Sequence, residues 1–561
     1  MSLRAPTAPS AGAPERAPST TTRRERRIDW PPLAILAAIV AGGLALRLLG
    51  LRHGLPYVYH PDEALHYTNR AVQMLTAGTL DPGYYQNPSG FTELVYAALL
   101  ITGHRTDPTP VYLTARVVSV AMCMLAVIAV YGAGRRLWGR AEGLVAAAVL
   151  SFAFLPVAYS RFAVTDVSAL AFVAVAAYFI VRMREDPRLR NYLAAGAAMG
   201  LAIGFKYTTG VLLAPLLLAA LPHARRDRAT ALKYTAAALA IGLLAFFLTT
   251  PSVFFHPHSA AYQLKVQQHN ASAHKLGQSA GSPFLFYPQS ITWGLGWGAA
   301  LAALVGAVLV WRRDRPRAAL LLLAPLLLWL YLSLGADRWF ARWLLPVYPI
   351  LALLAGVGFV WIASTLVRRG RIAVLVALVA AALIQPVISG IHTGRVLART
   401  DTRTLMRDYL FTHLRPDARI VVDPAVPIGF FGGHFAEGYG PPPKTAERRA
   451  GSPSRYIADL KPKRIEVYRR TGHCVVVELS LVRDRALRSN RKRAIAYYRA
   501  LPRESRVIFH ASPYKPGAGP VPFDFDFSTH LYYPSAYERP GPVVNVYRLD
   551  RCRQGYGQMP V

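Results

Sequence analysis

Asp62 and Glu63 are adjacent acids just beyond the first long apolar segment of the chain. An ionised carboxylate is costly to keep at a membrane surface unless it has a task. The task open to such a group is to take a proton from a reacting hydroxyl. The two acids open a short amphipathic stretch that ends at Gly78. Within it Ala64, Leu65, Ala71, Val72 and Leu75 recur at spacings that put them on one helical face. Pro61 precedes the first turn and Gly78 follows the last, the residue types that helix boundaries favour. The spacing therefore predicts a membrane-lying helix with both carboxylates at its N-terminus, where the helix dipole favours negative charge. Taken alone, the pair is explained by helix capping. The rest of the chain supplies the other groups that a reaction needs.

The elements that must position these acids are apolar helices. The chain has 561 residues, of which 53% are hydrophobic. That excludes an ordinary soluble protein, and repeated apolar runs of about 20 residues read as membrane spans. We expect about eleven, near 31–51, 109–134, 141–159, 167–183, 190–205, 207–222, 231–250, 290–311, 317–335, 343–364 and 371–391. The formal net charge is +34. Much of it sits in short Arg-rich clusters between apolar runs, which argues for topology and against a nucleic-acid stripe. Clusters at Arg135–Arg140, Arg182–Arg190, Arg225–Arg228, Arg312–Arg317 and Arg368–Arg371 follow every second span. All five fall on the side of the Arg-rich N-terminal tail, residues 1–27, so that side is expected to be cytoplasmic. The run Gly90–Thr102 is too short to span and reads as interfacial. Residues 52–108 then form one external loop with two membrane-lying helices. Residues 28–392 form the membrane domain, and 393–561 a soluble α/β domain outside the cytoplasm. Strand-like runs at Arg419–Val422, Arg464–Tyr468 and Cys474–Leu479 fall in that domain.

With this topology the external loops collect acids and cations. After Asp62 and Glu63 come Arg161 and Asp166, then Lys206, then His256, His258, Lys265, His269 and His274, and finally Asp337, Arg338 and Arg342. An active site is therefore expected outside. His256-Pro257-His258 invites a metal reading, with His256 joining Asp62 and Asp166 if its loop folds over them. A metal site normally takes three or four ligands with supporting partners, so no metal ligand is assigned and the cofactor is unknown. There is no Walker A sequence, dinucleotide Gly-rich fingerprint or helical HExxH. Cys123 lies in an apolar run, whereas Cys474 and Cys552 both fall in the soluble region, where an oxidising compartment would allow them to pair.

Four stretches together resemble the GT-C glycosyltransferases, and more narrowly the protein O-mannosyltransferase branch that includes bacterial aminoarabinose transferases. They are Tyr59-His60-Pro61-Asp62-Glu63 with Asn87-Pro88; Ser160-Arg161-Phe162 leading to Thr165-Asp166; Gly200-Leu201-Ala202 running to Lys206-Tyr207-Thr208; and Ala341-Arg342-Trp343-Leu344-Leu345-Pro346 with Tyr348-Pro349. The resemblance implies a polytopic α-helical membrane enzyme. Its donor would be a polyprenyl-phosphate sugar, with mannose favoured, and its acceptor a hydroxyl on a protein, lipid or glycan outside the cytoplasm. The residues suit that chemistry. A hydroxyl is a poor nucleophile, so a carboxylate should take its proton. Asp62 is the expected base, with Glu63 orienting it or touching the acceptor. Cations should hold the departing lipid phosphate. Lys206 and Arg342 are the first candidates, with Arg338 and Arg161 behind them. Asp166 would hold one of these cations, bind the acceptor or position the sugar. A single displacement inverts the anomeric centre. Each residue also has a plainer reading: Lys206 snorkelling to the interface, Arg342 anchoring beside Trp339 and Trp343, Asp166 capping the next helix. Three alternatives stay open at this point. One is an arabinose or aminoarabinose transferase acting on lipid or wall glycan. Another is a sugar or lipid transporter or flippase whose path the charges line. The last is a scaffold whose soluble domain binds wall polymer.

Overall fold

The structure is a computed structural model, and it describes residues 30–273, 276–278, 281–427, 429–438, 453–519, 521 and 532–555. The expected tail at 1–27 and His274 lie outside the described residues. The eleven apolar runs all fall on helices. The first is α1 (Trp30–Leu48), followed in the external loop by α2 (Thr68–Ala77) and α3 (Gly90–Thr102). Then come α4 (Pro108–Leu137), α5 (Arg140–Phe152), α6 (Phe154–Ser160), α7 (Leu170–Glu185), α8 (Leu189–Phe205), α9 (Leu213–Ala224) and α10 (Arg228–Thr249). Short α11 (Pro251–Phe255) and α12 (Pro257–Ser272) lead to α13 (Pro283–Gly294), α14 (Trp297–Arg313), α15 (Arg315–Gly335), α16 (Tyr348–Leu366) and α17 (Arg371–Leu397). Among the described residues seven helical segments are long and apolar enough to cross a membrane, or up to nine if each bent pair is one span.

Two expected spans are not straight. The run 141–159 is α5 and α6, bent by 54°. The run 290–311 is interrupted by a 114° bend between α13 and α14. Gly296 sits in that bend at φ +107°, a backbone conformation that a side chain disfavours. Apolarity does not report such a break, because both arms remain apolar.

Lipid tails are as apolar as leucine, so helices in a bilayer associate through close packing of small residues. Gly196 and Gly200 of α8 face α10 so tightly that an added Cβ would stand 1.9 Å from the Ala238 carbonyl oxygen and 2.0 Å from that of Gly242. Gly306 of α14 and Gly358 of α16 meet in the same way, at 1.9 Å from Leu354 O and 2.0 Å from Ala302 O. Three arginines are wholly buried in this bundle. Arg47 donates to Gly43 O and Ser151 O, Arg161 to Leu46 O and Gly390 O, and Arg116 to Leu51 O and His53 O. They staple helix ends through carbonyl oxygens.

α17 runs on to Leu397. The C-terminal region, which carries the sheet, opens with α18 (Thr402–His413), whose N-cap Asp401 accepts from Arg403 N. It contains β1 (Arg419–Val422), β2 (Ala436–Gly438), α19 (Pro453–Asp459), α20 (Lys463–Arg470), β3 (Val475–Leu479), α21 (Ser480–Arg488), α22 (Lys492–Ala500), β4 (Ser505–Ala511) and β5 (Val544–Leu549). The strands form one sheet in the order β2-β1-β3-β5-β4. β1 is parallel to β2 and β3, while β5 runs antiparallel to β3 and to β4. β3 is buried at all five positions, as a strand covered on both faces should be. Cys474 and Cys552 form a disulfide that ties the start of β3 to the segment beyond β5. The expected strand at Arg464–Tyr468 is instead α20. Ile465 and Tyr468 point inward one turn apart, and Glu466 pairs with Arg469 and Arg470 along the outer face.

Candidate active site

The stretch after Pro61 is helical, but it begins with a π turn at Glu63–Tyr67 before α2 takes over. The wider turn rotates the face read from the sequence. Glu63, Tyr67, Ala71 and Met74 point inward, whereas Leu65 is 40% exposed. Gly78 ends the helix in the left-handed conformation, its N–H on Met74 O. Asp62 does not cap this helix. Its carboxylate instead takes Arg342 Nη2 at 2.7 Å.

A second ion pair stands beside the first. Lys206 Nζ meets Asp166 Oδ1 at 2.6 Å and also lies 3.4 Å from the carbonyl oxygen of Arg342. All four groups sit where regular helix is interrupted. Asp62 precedes the π turn; Asp166 occupies the 3₁₀ turn Thr165–Val167; Lys206 is an extended residue between α8 and the 3₁₀ stretch Tyr207–Leu212; Arg342 lies in the 3₁₀ stretch Ala341–Val347. Thr165 Oγ1 donates to Phe205 O, which fastens the Asp166 turn to the end of α8. Irregular backbone of this kind is tolerated at membrane depth only where protein or a cavity surrounds it. The pairs are well covered: side-chain exposure is 7% for Lys206, 8% for Asp166, 11% for Arg342 and 28% for Asp62. Asp62 is thus the group of the four most open to a reactant.

The surroundings tune these charges. Burial pushes the Asp62 carboxyl up, but Arg342, His60 and His66 outweigh it, and the acid is held well below the usual carboxylate range. His60 and His66 are both depressed, chiefly by burial, with Asp62 opposing the shift. His66 stacks on Tyr84 with ring centroids 4.7 Å apart, and Asn87 Nδ2 donates to the Tyr84 hydroxyl at 2.8 Å. The Arg342 guanidinium lies 5.7 Å from the Tyr159 ring and 5.1 Å from Phe340. Its Nη1 is buried with no partner among the described residues.

Four expected residues therefore meet, and three do not join them as expected. Glu63 is fully buried and grips Arg116 in two bonds, Nε to Oε1 at 2.7 Å and Nη2 to Oε2 at 2.9 Å, while Ala163 N donates to Oε1. It holds its loop and is closed to an acceptor. Arg161 is fully buried, with its Nη2 on Leu46 O of α1 and Gly390 O of α17. Arg338 donates to Ala273 O and secures the end of the α12 segment. His256 does not reach Asp62 or Asp166; it lies 3.3 Å from Asp81. No group of three His, Cys, Asp or Glu able to hold a metal occurs among the described residues. The sequence reading passed over Arg116, His60 and His66. Arg116 carried a usable signal, because a cation inside a spanning run needs a partner.

The fold has counterparts among known proteins. The family model for dolichyl-phosphate-mannose-protein mannosyltransferase matches residues 111–254. A lipopolysaccharide core galacturonosyltransferase of Rhizobium johnstonii is 26% identical over 359 residues, covering 59% of this chain and 66% of the relative. ArnT from Cupriavidus metallidurans superposes at TM-score 0.55 in its apo state, with 15% identity over 92% of this chain and 98% of that one. Bound to undecaprenyl phosphate it gives 0.51, at 15% identity and with 92% and 97% coverage. The archaeal oligosaccharyltransferase AglB from Archaeoglobus fulgidus, in complex with an inhibitory peptide and a dolichol-phosphate, gives 0.52 at 13% identity over 90% of this chain and 77% of that one. The chain shares the fold of ArnT and AglB. It is a multi-pass membrane protein.

Proposed function

We propose that the chain is a membrane glycosyltransferase that moves a sugar from a polyprenyl-phosphate carrier to an acceptor hydroxyl. The observation that carries this reading is the paired arrangement of Asp62 with Arg342 beside Lys206 with Asp166, at one set of helix breaks. The Arg342 Nη1, buried and unpartnered among the described residues, is the group we assign to the donor phosphate. Lys206 adds a second cation, oriented by Asp166. The carrier phosphates bound by ArnT and AglB support this donor class.

The same geometry suggests how the base is switched on. While Arg342 holds it, Asp62 is too weak a base to take a proton from a hydroxyl. The arriving donor phosphodiester, a monoanion, competes for the guanidinium and draws it off Asp62. A buried carboxylate that loses its cation rises in pKa. Donor binding thus converts Asp62 from an ion-pair partner into the general base. The acceptor oxygen then attacks the anomeric carbon, the bond to the carrier phosphate breaks, and Asp62 keeps the proton. The product is inverted.

Two observations support a site outside the cytoplasm. The Arg-rich connectors lie at the opposite ends of the helices from these charges, and the disulfide of the soluble domain is a bond that persists in oxidising compartments. Mannose is our first donor, supported by the matching family model. The galacturonosyltransferase relative favours a second reading, in which the sugar is an acidic one.

The test is transfer by purified protein in lipid, from labelled polyprenyl-phosphate mannose and from the galacturonate analogue, to an extracytoplasmic acceptor fraction. We expect one donor to be used by wild type, and Asp62→Asn to lower turnover about 10²- to 10⁴-fold, the usual worth of a general base. Equal turnover by both proteins would remove Asp62 from the chemistry, and no turnover from any polyprenyl-phosphate sugar would overturn the class.

A further inference from the structure

The soluble domain grips the loop that carries Asp62. Arg403, at the start of α18, is held on three sides. Its Nε and Nη2 lie 2.9 and 2.8 Å from the two oxygens of Asp401, and Nη1 donates to Ala425 O at 2.8 Å. The fixed guanidinium plane covers the ring of Tyr59 at 3.9 Å. The Tyr59 hydroxyl meets Thr404 Oγ1 at 2.6 Å. One turn further along α18, Arg407 donates to Phe430 O at 2.7 Å and lies 5.1 Å from the Tyr57 ring. Phe430 closes edge-on against Tyr57 at 4.8 Å and against Tyr59 at 6.1 Å.

Tyr59 is three residues from Asp62. On the other side of Asp62, Glu63 is locked to Arg116 of α4. Asp62 therefore hangs between two anchors, one in the membrane bundle and one in the soluble domain. We propose that Tyr59 and Arg403 are positioning residues, through which the soluble domain sets the place of the Asp62 carboxylate. The inference rests on the proposed transfer reaction. A desolvated guanidinium over an aromatic ring is attracted by the ring's negative face, which holds the loop to α18. A misplacement of about 1 Å can cost on the order of 10²-fold in rate.

The test compares Tyr59→Leu with Tyr59→Phe in the full chain, which separates loss of the ring from loss of the hydroxyl. In Tyr59→Leu we expect kcat to fall about 10- to 100-fold with donor KM within about 2-fold. Tyr59→Phe keeps the ring under Arg403 and should recover most of kcat. Amide hydrogen exchange of residues 57–67 should speed up in the leucine variant and stay near wild type in the phenylalanine variant, with the buried bundle unchanged in both. Equal kcat and equal exchange in the leucine variant and wild type would overturn the proposal. So would faster exchange throughout the bundle, which marks plain destabilisation. If wild type turns over no polyprenyl-phosphate sugar, the function reading fails, and the exchange difference still decides whether the anchor exists.

Discussion

At the residue scale, the two adjacent acids that opened the sequence have separate fates. Asp62 remains partly exposed on a cation, and Glu63 is a buried clamp. Breaking a buried pair by removing one partner strands a charge and costs about 3–5 kcal/mol. We expect Glu63→Ala and Arg116→Met each to lower the thermal unfolding midpoint in detergent strongly, and the double variant to be less destabilised than the sum. Strict additivity would mean that the two side chains do not act as a pair. The acids themselves were legible, because ionised groups beside an apolar run are conspicuous. Which acid faces Arg342 was not, because that depends on the buried Arg116 that takes up Glu63 from a helix far along the chain. Arg161 stands in the expected loop, and its Nη2 is bonded to carbonyl oxygens of α1 and α17, contacts that the sequence could not announce.

At the element scale, helix contacts depend on residues with no side chain. Gly200 meets the Gly242 carbonyl so closely that a methyl group at 2.0 Å must push α8 off α10. Overpacking of this kind costs about 1–3 kcal/mol. Gly200→Ala should therefore lower the unfolding midpoint in detergent, while Gly335→Ala, with nothing within 4 Å of the added carbon, should not. Equal midpoints for the two would mean that the helices are free to separate. Because Lys206 directly follows α8, a displaced α8 should also carry that cation out of reach of Asp166. Helix positions were readable from apolarity, and the shared side of the charged loops followed from the Arg clusters. The bends at α5–α6 and α13–α14 were not readable, because they change direction without changing composition. The strand-like run in α20 misled for a related reason: a short segment with two apolar residues fits either period, and here the ion pairs along one face decide for helix.

At the scale of the whole molecule, the soluble domain carries its own titrating centre. Asp423 ends β1, accepts from Leu479 N at 3.0 Å and Tyr498 Oη at 3.2 Å, and is pushed up to about 7, mainly by burial. In the unfolded chain the same acid ionises near 4. Between those values the folded state binds more protons than the unfolded state, so stability falls as pH rises. We expect the unfolding midpoint of wild type to drop from pH 5 to pH 8 and that of Asp423→Asn to vary less; parallel curves would show that another group is responsible. The composition of this domain, with its short apolar runs, announced an α/β fold, but the acid could not be ranked without its tyrosine neighbours. The seam between Tyr57, Tyr59 and α18 has a consequence for inheritance. Two halves that share a contact three residues from Asp62 cannot be traded as independent modules. A chimaera that grafts a foreign soluble domain onto this bundle must bring residues matching 401–407, and a lineage that changes Tyr59 must change Arg403 with it.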